Sequence, residues 1–144
     1  MKILVINGPN LNLLGRRDPV KYGTMKLDVI NGLLKQIAIE RGVVLTFFQS
    51  NHEGDIIDFL QRDSSRRAAG ILINPGALVR YAWSLRQALI DLGKPIVEVH
   101  MSDINKTGIH TSVNVLEDIR ADHFVGMKEQ SYVSGLNRLL QILL

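Results

Sequence analysis

Ile3-Leu4-Val5-Ile6 is apolar at every position, with no polar residue alternating through it, and Asn7-Gly8-Pro9 closes it as a turn. Strands wet on one face alternate, whereas an unbroken run rich in β-branched residues suits a strand covered on both faces, the condition of a parallel sheet. The chain repeats the arrangement. Val43 to Phe48, Gly70 to Ile73, Ile96 to Met101 and His123 to Val125 read as further strands. Between them lie apolar stripes at helical spacing. The first, Leu27, Ile30, Leu34 and Ile37, follows a Thr24 cap and stops before Gly42. The second carries Ile56, Ile57, Phe59 and Leu60; the third carries Trp83, Leu85, Ala88, Leu89 and Leu92 and is broken by Gly93-Lys94-Pro95. The last holds Tyr132, Leu136, Leu139, Leu140 and Leu143. Strands alternating with helices predict a single α/β domain over residues 1–144, a five-stranded parallel sheet between two helix layers, with right-handed crossovers. Asp103 to Asp122 has no strong period; Val113, Val115, Leu116 and Ile119 fit either a short helix or an irregular excursion.

A length of 144 residues with 46% hydrophobic content is enough for one core and too little for two of ordinary size. The formal net charge is +3, and no run of like charges is long enough to follow a nucleic-acid backbone, so nucleic acid is not an expected partner. Without cysteine there is no disulfide, thiolate zinc site or cysteine nucleophile. The N-terminal apolar run is far too short for a signal core or a membrane span, and the expectation is a soluble, cytoplasmic chain with no membrane partner.

In sheets of this kind ligands bind outside the carboxyl ends of the strands, near the point where strand order reverses. There the chain places Asn7-Gly8-Pro9-Asn10-Leu11-Asn12, Gln49-Ser50-Asn51-His52-Glu53, Asn74-Pro75-Gly76-Ala77 and His100-Met101-Ser102. Turn chemistry alone accounts for any one of these loops. Four in succession point to an uncharged hydrogen-bonding pocket for a hydroxylated small molecule. Neither G-x-x-x-x-G-K-[ST] nor a G-x-G-x-x-G after the first strand is present, and Asn7 and Asn74 stand where a phosphoacceptor receiver needs aspartates. No H-E-x-x-H occurs, and no metal is required. Arg16 to Gly23, flanked by Gly15 and Gly23, is either a lid over the pocket or a plain surface loop.

Asn7 to Gly15, then Arg17-Asp18-Pro19 and Tyr22-Gly23, Phe48 to Gly54, Asn74 to Ala77 and Glu98-Val99-His100-Met101-Ser102 together resemble the type II 3-dehydroquinate dehydratase family, in order over residues 1 to about 102. The resemblance implies a flavodoxin-like three-layer sandwich, no cofactor and no metal. It implies dehydration of 3-dehydroquinate to 3-dehydroshikimate, in shikimate biosynthesis or quinate breakdown, by a trimer-based homo-oligomer of the dodecameric kind. It makes Tyr22 the base that takes a proton beside the ketone to give an enolate, Arg17 the lid residue that favours the tyrosinate, and His100 the general acid on the departing hydroxyl. Asn10 would hold a water on the enolate oxygen, while Asn74, Met101 and Ser102 would bind the substrate's hydroxyls and carboxylate. Glu98 and Gln49 are read as supporting residues. A phenol titrates near 10 and is only about one part in a thousand ionised at neutral pH, so such a base needs a neighbouring cation; burial alone pushes the wrong way.

The family pattern is not complete. Arg80 stands where the family has a substrate-contacting histidine, Gln87 where it has an aspartate offered across a subunit boundary, and Thr111 where an arginine clamps the substrate carboxylate. A charge-assisted contact of that kind is worth about 1.5 to 3 kcal/mol. Arg80, or else Lys106, is the candidate replacement cation; Arg80 is equally read as a solvated surface arginine. Two other functions stay open: a dehydratase acting on a related cyclic hydroxy-ketone, and a non-catalytic binding module on the same scaffold.

Overall fold

The computed structural model describes residues 1–106 and 113–144. Five strands form one parallel sheet: β1 (Lys2–Asn7), β2 (Val44–Gln49), β3 (Gly70–Asn74), β4 (Ile96–His100) and β5 (Asp122–Val125), in the order β2-β1-β3-β4-β5. This is the doubly wound, flavodoxin-like order, with the reversal between β1 and β3. Around it run the helices α1 (Pro19–Tyr22), α2 (Leu27–Glu40), α3 (Glu53–Leu60), α4 (Asp63–Arg66), α5 (Trp83–Leu92) and α6 (Glu129–Leu143).

The unbroken apolar runs follow from burial on both sides. Leu4, Ile6, Ile71, Ile73 and Ile96 face the layer built by α3 and α5, where Ile56, Phe59, Leu60, Leu85 and Leu89 meet them. Their neighbours Ile3, Val5, Leu72, Val97 and Val99 face Ile30, Leu34, Tyr132, Leu136 and Leu140 of α2 and α6. Each strand thus divides its alternate side chains between two cores. The edge strand β2 is only partly covered and begins at the exposed Val44.

Several expectations shift. Thr24 does not cap α2: Thr24 to Lys26 carry no helical assignment, Met25 packs against the core, and Lys26 precedes the first helical residue without a side-chain cap. Ala38 is buried where Ile37 is only partly so, and Ile57 is likewise only packed at the margin. Trp83 is 61% exposed, because it lies two residues, about 200° of helix, from Leu85 and so points away from the α5 stripe. Of the two readings of Asp103 to Asp122, the described part is irregular: a single 3₁₀ turn at Ile104–Lys106, then turns that bury Val115 and Leu116 and pack Ile119 against the core. Among the described residues no helix is long and apolar enough to cross a membrane.

Candidate active site

The loops leaving β1, β2 and β3 are tied to one another by backbone and amide groups. Gly8 N–H donates to Asn74 O at 2.8 Å and Ser50 N–H to Asn7 O at 3.1 Å. Gln49 Nε2 donates to Gly8 O at 3.2 Å, and Asn51 Oδ1 accepts from Asn10 N–H at 2.9 Å. A Cβ on Gly8 would sit 2.5 Å from Pro75 O, so only glycine lets the two loops come this close. Asn10 takes φ 70°, a left-handed conformation that asparagine tolerates better than most residues. Gln49 therefore acts on the backbone of the site, in keeping with a supporting part.

The loops after β1 and β3 and the end of β4 line a cavity of about 290 Å³, whereas the loop after β2, expected to join them, supplies no wall residue and only braces Gly8 and Asn10 through Gln49 and Asn51. Its wall includes Asn10, Asn74, His100, Met101 and Ser102 from the strand ends, Arg80 from the turn after β3, and Arg17 and Tyr22 from the segment before α2. All eight residues picked from the sequence thus meet at one place. The segment between Gly15 (φ 92°) and Gly23 (φ 72°) contains α1, with Pro19 as its first residue and the Asp18 carboxylate accepting from Val20 N–H at 3.0 Å. A helix this short depends on its cap. It presents Tyr22 and Lys21 to the cavity, and the Arg17 guanidinium lies 3.7 Å from the centre of the Tyr22 ring. That is a cation–π contact with the face of the ring.

At the floor, the Tyr132 hydroxyl donates to Asn7 Oδ1 at 2.6 Å and accepts from Asn74 Nδ2 at 2.8 Å, while Asn74 Oδ1 accepts from Gly76 N–H at 3.1 Å. Burial pushes the Tyr132 phenol up, although Asn74 and the nearby Arg17 pull the other way, so this tyrosine is a fixed neutral donor. The amide of Asn74 is held in one orientation at the cavity wall.

His100 Nε2 lies 2.6 Å from Oε2 of the fully buried Glu98. Asn114 Nδ2 reaches both carboxylate oxygens, at 3.3 and 3.0 Å, and Arg120 donates to Oε1 at 2.8 Å. Burial raises the Glu98 pKa, but His100, Arg120 and Asn114 outweigh it and bring it down to about 2. An anionic Glu98 can only accept, which makes Nε2 the nitrogen of His100 that carries the shared proton.

Arg80 is half-buried, and its guanidinium donates to Ile104 O at 2.8 Å and Val113 O at 2.7 Å. It is a wall residue of the cavity rather than a freely solvated one. Gln87 lies exposed on α5 and donates to Asp91 one turn on. Thr111 and the side chain of Lys106 lie outside the described residues. Sequence reasoning missed Lys21 as a second cation of the cavity wall beside Arg17, and Tyr132, Asn114 and Arg120 as partners of the site. Tyr132 was hidden in an apolar helical stripe; Asn114 and Arg120 sit in a segment without periodicity, so neither carried a local signal.

Residues 1–140 match the family model described as Dehydroquinase class II. The chain is 46% identical over 140 residues to a 3-dehydroquinate dehydratase of Roseiflexus castenholzii, covering 97% of this chain and 88% of the relative. It superposes on the type II dehydroquinase of Butyrivibrio crossotus with a TM-score of 0.91 at 35% identity, covering 97% of each chain. The type II dehydroquinase of Propionibacterium acnes gives 0.89 at 30% identity over 97% of this chain and 96% of that one. With the sheet order, the loop motifs and these matches in agreement, the chain belongs to the class II dehydroquinase family.

Proposed function

We propose that this protein is a 3-dehydroquinate dehydratase working through an enolate. Tyr22, as phenolate, takes the proton from the carbon beside the ketone, and the electron pair moves onto the ketone oxygen. His100 then gives its proton to the hydroxyl on the next carbon but one from the ketone, the carbon–oxygen bond breaks, and water and a conjugated enone leave. The observation that carries this reading is the Arg17 guanidinium over the Tyr22 ring in the same cavity wall as His100. A phenolate base needs a cation beside it, the part this reading gives to Arg17, and the Glu98 partner orients the imidazole for the second step. Asn10 holds a water toward the enolate oxygen, where charge develops. Asn74, Met101 and Ser102 bind hydroxyl and carboxylate groups, with Arg80 supplying the cation for the carboxylate. The reaction as written needs no cofactor, and the protomers assemble as a trimer-based homo-oligomer of the dodecameric kind in the cytoplasm.

Purified protein mixed with 3-dehydroquinate should develop the ultraviolet absorbance of the enone, at a rate unaffected by a metal chelator or by borohydride. No absorbance change would overturn the assignment, and loss of activity on borohydride treatment would replace the enolate route with a Schiff base.

A further inference from the structure

Glu98 is fully buried and bridges two side chains from different parts of the chain: the His100 imidazole on its own strand and the Arg120 guanidinium from the turns before β5. The oxygens are divided, Oε2 toward His100 and Oε1 toward Arg120, with Asn114 across both. We infer that Arg120 is a positioning residue for His100: by holding Oε1 it fixes the carboxylate that orients the imidazole, and it draws off part of the negative charge that would otherwise tighten the carboxylate's grip on the imidazole proton. The inference rests on His100 being the acid of the proposed reaction only for its kinetic consequence; the structural coupling stands apart from it.

Without Arg120, Glu98 has one fewer donor and, among the described residues that bond to it, no guanidinium or ammonium partner, so it becomes a stronger acceptor and His100 holds its proton more firmly. Around the pair, Arg80 comes from the turn after β3, and Arg17, Lys21 and Tyr22 come from the lid segment. Arg86 on α5 is engaged by Asp118, and His123 stands opposite Glu98 on β5. None of these is changed by a substitution at Arg120. The network also explains how an irregular segment reaches the reaction. Asn114 caps the turn at Leu116 N–H at 2.9 Å, and Val115 N–H donates to Val79 O at 2.8 Å, so the turns that carry Arg120 are docked on the cavity wall.

The test is the NMR titration of the His100 ring protons, assigned with His100→Gln, in wild type, Arg120→Gln and Arg120→Lys, alongside the pH profile of kcat for dehydroquinate. In Arg120→Gln the His100 midpoint moves up by about one pH unit, and the alkaline limb of kcat moves with it. KM stays within about twofold, since Arg120 is not part of the cavity wall; Arg120→Lys, which keeps the charge, restores most of the midpoint. If Arg120→Gln does not fold, Arg120→Met, which keeps the aliphatic stem, carries the same expectation. A midpoint equal to that of wild type in the neutral variant overturns the inference. Absence of dehydratase activity in wild type would sink the functional reading and leave the titration to decide this one.

Discussion

A carboxylate shut away from water has to be surrounded by donors, and Glu98 shows what that costs and gives. Its pKa, brought to about 2 against the pull of burial, lies below the unfolded value. A depressed folded pKa means that the folded state binds the proton less readily than the unfolded chain. Glu98 therefore contributes its stability fully above about pH 4.5, and that contribution fades as pH falls toward 2, by on the order of 3 kcal/mol in all. Denaturant unfolding of wild type and Glu98→Gln at a series of pH values should show this difference in acid slope. Equal slopes between pH 5 and pH 2 would mean that the carboxylate gains nothing from its partners. At the same scale Tyr22 and Tyr132 divide two roles that the sequence does not separate. One sits under an arginine at the cavity wall; the other is locked between Asn7 and Asn74 as a neutral donor.

Among the elements, the loops at the strand ends set the geometry. Gly8 has no room for a side chain against Pro75, whereas Gly32, within α2, has nothing within 4 Å of its missing Cβ. Gly8→Ala should therefore destabilise by at least about 2 kcal/mol and lower kcat/KM, because the β1 and β3 loops must part. Gly32→Ala should stabilise by roughly 0.5 to 1 kcal/mol. Thermal or urea unfolding decides both, and a neutral Gly8→Ala would disprove the close approach. The turn after β3 carries Arg80, whose bonds to Ile104 O and Val113 O hold it at the cavity wall. Arg80→Ala should raise KM for dehydroquinate about tenfold or more while changing kcat less, the loss of a charge-assisted contact to a carboxylate. An unchanged KM would dismiss Arg80 as the replacement for the missing clamp.

For the whole molecule, what could be read beforehand depended on whether a local signal existed. The apolar runs Ile3 to Ile6 and Gly70 to Ile73 are unbroken because two helix layers cover them, so the parallel sheet was visible in the chain itself. The cavity was legible for a related reason: a parallel sheet brings every carboxyl end to one edge, and the polar loops there were adjacent to recognisable strands. The α2 start was misplaced because a Thr is a good cap in principle, but Met25 packs against the core before the helix begins. Arg120 and Asn114 were invisible because their partner, Glu98, lies across the fold, and only the tertiary structure joins them. The matched family model and the superposed structures agree with the architecture over nearly the whole chain.

The central claim is that Tyr22 removes the proton, and the most direct test is the steady-state rate of enone formation by Tyr22→Phe. Loss of this base should lower kcat by roughly a hundred- to ten-thousandfold, with the fold intact by circular dichroism and substrate affinity little changed. A Tyr22→Phe enzyme turning over within tenfold of wild type would contradict the account.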